Sequence, residues 1–200
     1  MSAQLALALA STIRHDGNGG VADDLDDIAG LTRWLHEQTE PLREYVGGRD
    51  VLVGAADEQT RLDVLAVRRA TRTLFAVAVR PGPPSRADSS SLLTPPEAVG
   101  RLNQAAGLIP VRPVLSWPEQ GVPTVSWQGE AAEAGRRLTA GLARAAVEFL
   151  ASPARGLLRA CPAPRCVRYF VKDHARQEWC KPSCGNRARV ARHYQRHTAR

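Results

Sequence analysis

Two hundred residues, 44% hydrophobic and 24% charged, suffice for one ordinary domain with a small appendage. No stretch approaches the ~20 apolar residues of a membrane span, and all four cysteines fall in the last 40 positions, which excludes disulfide stapling of the body. The formal charge of +7 is unevenly placed. Residues 155–200 hold ten Arg and two Lys against Asp173 and Glu178, a net +10, while the rest of the chain is net −3. A basic end on a mildly acidic body points to a polyanion, with nucleic acid the first candidate and an anionic membrane surface the second.

In chain order, "MSAQLALALASTIRH" reads as a first core helix that Ile13 and Arg14 continue as an amphipathic segment. Its apolar run lacks the preceding basic residues of a signal peptide, so a cytoplasmic location with reduced thiols is expected. "RHDGNGGVADDLDD" is a loop, and its GNGG lacks the strand and spacing of a phosphate loop. Ile28, Leu31, Trp34 and Leu35 then recur at helical spacing behind Asp26 or Asp27 as start signals. "GGRDVLVG" is ambiguous between a short strand and a helix start.

A long helix is predicted from about Glu58 to Val79, with Leu62, Leu65, Ala66, Arg69, Thr73 and Val77 following its period loosely. The stretch Arg80–Ser91 reads as a flexible surface loop. Next comes a well-marked helix: Thr94 is its N-cap, Pro95 takes the first position, Glu97 completes a capping box and Gly107 closes it. "VRPVLSW" and "VPTVSWQG" read as a β-hairpin. A helix from Glu130 to about Ala151 carries Leu138, Leu142, Ala145 and Phe149 on one face, with Pro153 as a stop. His15 and His36 are read as solvated or capping, and Trp34, Trp117 and Trp127 as core or pocket wall. No Ser/His/Asp order supports catalysis, so an enzyme is not expected. The fold class is α+β: a mostly helical N-terminal domain with a small hairpin over 1–152, a linker around "ASPARG", and a small cysteine-bearing finger with a C-terminal helix over 155–200.

The cysteines form two close pairs, Cys161-x4-Cys166 and Cys180-x3-Cys184, separated by 13 residues. Each pair makes a turn that points two thiolates at one ion, and the segment between folds the pairs together, as a tetrahedral zinc site needs. Free thiols, two disulfides and an iron–sulfur cluster are the alternatives. The clustering disfavours free thiols, the compartment disfavours disulfides, and the basic helix suits a nucleic-acid finger better than a cluster. With four protein ligands no position stays open for water, so the metal's role is structural. "VRYFVKD" alternates as a strand, and a helix is expected from near Cys184.

On that helix Arg189, Arg192, His193, Arg196 and Arg200 fall on one arc, with Val190, Tyr194 and Arg187 opposite, where they can pack on the zinc knuckle. No acidic residue follows Glu178, so the stripe is suited to phosphates, with nearby Lys181 and Arg176. Asn186 can read a base edge, cap the helix or hydrogen-bond a ligand sulfur, and these readings stay open. Arg187 braces the knuckle or holds a phosphate from the edge, bracing being favoured. Tyr169, Phe170 and Trp179 are finger core, or else stacking surfaces for unpaired RNA bases.

The pattern Cys161, Cys166, Cys180 and Cys184-Gly185-Asn186-Arg187 resembles the CGNR zinc finger, and the body in front resembles the ABATE domain that accompanies it in bacterial proteins. The resemblance implies zinc on the four cysteines, double-stranded DNA as the helix's partner and a small-molecule effector for the body, in a stress-induced transcriptional regulator. Many relatives carry Asn-Thr in the first helix where this chain has Ser11-Thr12, so a pocket built on that Asn would differ here. A single finger buries little surface, so a homodimer is expected. RNA binding is the alternative, and an enzyme addressed by the finger is less favoured.

Overall fold

The computed structural model describes residues 2–46, 54–88 and 92–198; the "GGRDVLVG" segment, apart from Gly54, lies outside them. The architecture is α+β, as expected. Helix α1 (Ser2–Ala10) buries Leu5, Ala6, Leu9 and Ala10. It stops there, which corrects the expected continuation. Ile13–His15 is a strand, β1, paired antiparallel with β2 (Val21–Asp23). β-Branched Thr12 and Ile13 disfavour helix. Asp16 Oδ1 accepts from the Asn18 and Gly20 N–H groups, and Gly17 takes a φ of +95°, so the GNGG stretch closes a hairpin.

Helix α2 (Ile28–Glu37) starts on Asp27, whose side chain accepts from the Gly30 N–H at 2.6 Å. Leu31, Trp34 and Leu35 are buried, whereas Ile28 is exposed. Helix α3 (Thr39–Val46) follows, then α4 (Glu58–Ala78), capped by Asp57. The expected set on α4 is right only in part: Thr73 is buried and Leu65 packs on the core. Leu62 and Arg69 are exposed, and the buried stripe is Val64, Val67, Arg68, Thr71, Arg72 and Phe75. Helix α5 (Pro95–Ala106) has the expected Thr94–Glu97 capping box and ends at Gly107. β3 (Val111–Ser116) pairs with β4 (Thr124–Gly129) as the expected hairpin, but Trp117 and Trp127 are exposed, not core.

Helix α6 (Ala134–Ala151) begins four residues later than expected and buries Leu138, Leu142, Ala145 and Phe149 as expected. It is the central post, with α1, α3, α4 and α5 packed on it. Small residues let them come close: a Cβ at Gly141 would lie 2.7 Å from Val46 on α3. A 3-10 turn, Pro153–Leu157, then leads into β5 (Leu158–Ala160), which pairs with β6 (Tyr169–Val171). Helix α7 (Pro182–Thr198) closes the described chain.

Candidate metal centre and nucleic-acid interface

The first cysteine pair is set by a tight turn. The Cys166 N–H donates to the Ala163 carbonyl at 3.0 Å, and Arg165 adopts a left-handed φ of +62°. Pro162 and Pro164 stiffen this turn. The Cys161 N–H donates to the Arg168 carbonyl, which carries the chain from the turn into β6. The second pair opens α7, where the Lys181 carbonyl accepts from the Cys184 and Gly185 N–H groups. All four Sγ atoms lie within 4.8 Å of one another. Cys166 and Cys180 sulfurs are 3.7 Å apart, and Cys180 and Cys184 sulfurs 3.6 Å apart.

These separations fit a metal. A zinc–sulfur bond of about 2.3 Å gives a tetrahedron whose edges are about 3.8 Å. The surrounding groups fit the resulting charge as well. Four thiolates around a dication carry a net −2, and the Arg187 Nη2 donates to the Cys184 sulfur at 3.2 Å. Arg187 Nε is buried with no protein partner, facing inward at a site that wants cationic compensation. The Cys180 N–H points at the Cys161 sulfur. Hydrogen bonds from Cys166 and Cys180 push the Cys161 thiol well down, while its neighbours push the Cys166 and Cys180 thiols up. Crowded thiols cannot all ionise until a cation offsets their repulsion.

A small cluster of Cys161, Ala163, Cys166, Phe170 and Cys184, with Trp179 packed on it, is the finger's own core. Gly185 of the signature has a steric reason: a Cβ there would lie 2.9 Å from the Trp179 ring. Of the three aromatics considered for RNA stacking, Tyr169 and Phe170 are buried and Trp179 is half-buried.

The finger is joined to the body through a buried polar junction that the sequence reading missed. Arg72, on α4, donates from Nε to Asp88 at 2.7 Å and reaches the carbonyls of Ala10 and Val167. The Tyr169 hydroxyl donates to Asp88 at 2.6 Å and accepts from the Ser85 N–H, while the Ser85 hydroxyl donates to the Val167 carbonyl at 2.8 Å. Ser85 and Asp88 are buried, so the end of the expected surface loop is folded structure, while residues 80–84 are exposed as expected; residues 89–91 lie outside the described residues. Burial and the Asp88 charge push the Tyr169 hydroxyl up, keeping it a donor. Phe75 meets Phe149 and Tyr169, both edge to face at 5.4 Å, so β6 enters the body's main core. One signal was available: Arg68 and Arg72 share the stripe of Val64 and Phe75, which reads as buried arginines that need acids.

Thr12 is buried, its hydroxyl donating to the Leu9 carbonyl and accepting from Arg68 at 2.8 Å. Arg68 also grips Asp23 through two 2.6 Å bonds. Thr12 thus ties α4 to the β1–β2 hairpin.

On α7 the anchored residues are Cys184, Gly185 and Ala188, with Arg187 and Ala191 half-buried. Val190 and Tyr194 are exposed, which corrects their expected packing on the knuckle. The metal ligand and a small alanine, not the larger apolar side chains, set the helix's phase. Arg189, Arg192 and Arg196 are exposed, as are all residues from 192 to 197. At 1.5 Å per residue the last two turns project about 10 Å past the anchored part. Asn186 is on the exposed side, its Oδ1 accepting from Arg189; the sulfur contact is made by Arg187 instead. Lys181 and Arg176 line a cavity of about 430 Å³ that also holds Asp173 and Glu178, apart from the stripe on α7. Arg200 lies outside the described residues.

No curated protein matches the sequence. Two family models do. The CGNR zinc finger matches residues 158–197, which contain the four clustered cysteines and α7. The ABATE model, described as "Putative stress-induced transcription regulator", matches residues 3–153, well over half of the chain, so the protein belongs to the ABATE family and carries a C-terminal CGNR zinc finger.

Proposed function

We propose that the protein is a DNA-binding transcriptional regulator in which zinc fixes the base of α7 and the outer part of α7 contacts double-stranded DNA. The observation that carries this reading is the solvent-exposed end of α7. Arg189, Arg192 and Arg196 stand there with no acidic residue on the helix, on an element clamped at its root by Cys184. A bare helix of this kind fits the roughly 12 Å wide major groove, with the arginines on phosphates and Asn186 as the candidate base reader. Lys181 and Arg176, beside two acids, are the weaker candidates for phosphate contact.

The sensing part of the reading has a candidate place. A cavity of about 740 Å³ lies between the ends of α4 and α6 and the start of the finger. Leu74, Val77 and Leu150 give it apolar walls, Arg80, Arg155 and Arg159 line it as well, and among the described residues no acidic one does. It suits a small anion with an apolar body, bound where the body meets the finger. The reading includes no catalytic step.

The test is a salt titration of binding to duplex DNA. Wild-type affinity should fall steeply with salt. The Arg189→Ala, Arg192→Ala, Arg196→Ala triple variant should lose binding and flatten the salt slope by up to about 2.7, at ~0.9 per phosphate contact. Unchanged affinity and slope in the triple variant would sink the assignment of α7.

A further inference from the structure

We infer that the β3–β4 hairpin is a self-association surface that seats its apolar face on a second copy of the chain. The register sets Val111, Pro113 and Leu115 opposite Gly129, Trp127 and Val125, so these six share one face. That face has no polar side chain. The opposite face carries Arg112, Ser116, Thr124, Ser126 and Gln128, with the half-buried Val114 its one apolar member.

An antiparallel sheet with one apolar face normally lays that face on a core. Here Leu115 is 61% exposed, Val125 59% and Trp127 44%, and beyond the strands the connecting loop adds Trp117 at 74% and Val122 at 75%. A two-stranded hairpin is marginal without packing, and a contiguous apolar patch of this size marks an interaction site.

Area and charge identify the occupant. Leu115, Val125, Trp127 and Trp117, which continues the alternation of β3, offer roughly 500 Å² of apolar surface per copy, aromatic residues alone contributing 150–250 Å² each when fully buried. Two-fold pairing removes it from both copies, about 1,000 Å² in total, which reaches the lower limit of a specific interface. Residues 111–129 hold one Arg and one Glu, and Arg112 is on the other face, 3.4 Å from Gln128. Two hairpins therefore meet without repulsion, whereas a nucleic acid finds no cation on this face. The inference does not rest on DNA binding, and its test is read without DNA.

Light scattering on the full chain, from about 1 to about 100 µM, should give a dimer, twice 21.7 kDa. Leu115→Lys and Trp127→Glu should each raise the dimer dissociation constant at least about 100-fold. Ser126→Lys, on the polar face, should leave it unchanged. Circular dichroism checks folding, and if Trp127→Glu fails to fold, Leu115→Lys decides. A monomeric wild type overturns the inference, as does a dimer that persists in the folded apolar-face variants. So does a Ser126→Lys protein that dissociates to the same degree.

Discussion

Helices α4 and α7 each carry arginines four residues apart, and the two pairs meet opposite fates. On α4, Arg68 and Arg72 are buried, and each is met by an aspartate from elsewhere in the chain, Asp23 and Asp88. On α7, Arg192 and Arg196 stand in solvent, and Arg196 Nε donates inward, to the Arg192 carbonyl of its own helix. Residue type and spacing are the same, so neither decides the role. The acid does. Where the fold delivers a carboxylate, the guanidinium becomes a strut between segments. Where it delivers none, the charge stays available to an outside anion.

The largest effect that would break this contrast is loss of the metal. Apparent binding free energies of structural zinc are about 10–16 kcal/mol, far more than the finger's small core supplies. Chelation, or Cys184→Ser, should erase hydrogen-exchange protection over the Cys161–Cys166 turn and the start of α7, while β5 and β6, packed on the body, keep more of theirs. The Arg68–Asp23 link should survive it. An α7 that keeps its protection without metal would mean that packing anchors the helix, and the two regions would then differ less than argued.

Next in size is the removal of one acid. Asp88→Ala leaves Arg72 buried without its partner and Tyr169 without its acceptor, at a cost of about 3–5 kcal/mol in urea unfolding. Arg72→Met together with Asp88→Leu should cost much less, because no charge is stranded. Equal losses in the two variants would show that packing, and not the unpaired charge, dominates the junction.

The legible parts of the chain are those with local signals. The capping box at Thr94 and Glu97, the helix start at Asp26 or Asp27, the stop at Pro153 and the two close pairs of cysteines were all readable, because each depends on residues a few positions apart. The Arg72–Asp88–Tyr169 junction was not, since its members are brought together only by the packing of β6 on α4. The phase of α7 was misread for a related reason. Val190 and Tyr194 carry the hydrophobicity, but a metal ligand and Ala188 carry the contact. Strand β1 was missed because Ile13 extends the apolar pattern of α1, while the turn chemistry of Asp16 and the glycines favours a hairpin.

The smallest effect concerns the more exposed of the two body pairs. Burial alone would raise the Asp23 carboxyl, but the Arg68 guanidinium and the Leu25 N–H outweigh it and hold Asp23 below its usual range. A carboxylate depressed in the folded state stabilises it fully above the unfolded value near ~3.9, and that stabilisation fades as pH falls through the folded value. The melting temperature of the wild type should therefore drop more steeply from pH 5 to pH 3 than that of Asp23→Asn, which has no carboxyl to protonate. Metal release in acid acts on both proteins and cancels in the difference. The gap should be modest, because the Asp23 side chain is 35% exposed and solvent screens the pair. Parallel pH profiles would mean that the Arg68 bond to the Thr12 hydroxyl, rather than the ion pair, holds the β1–β2 hairpin to α4. The strut role of Arg68 would then rest on a neutral contact, and the contrast with α7 would narrow to Arg72 alone.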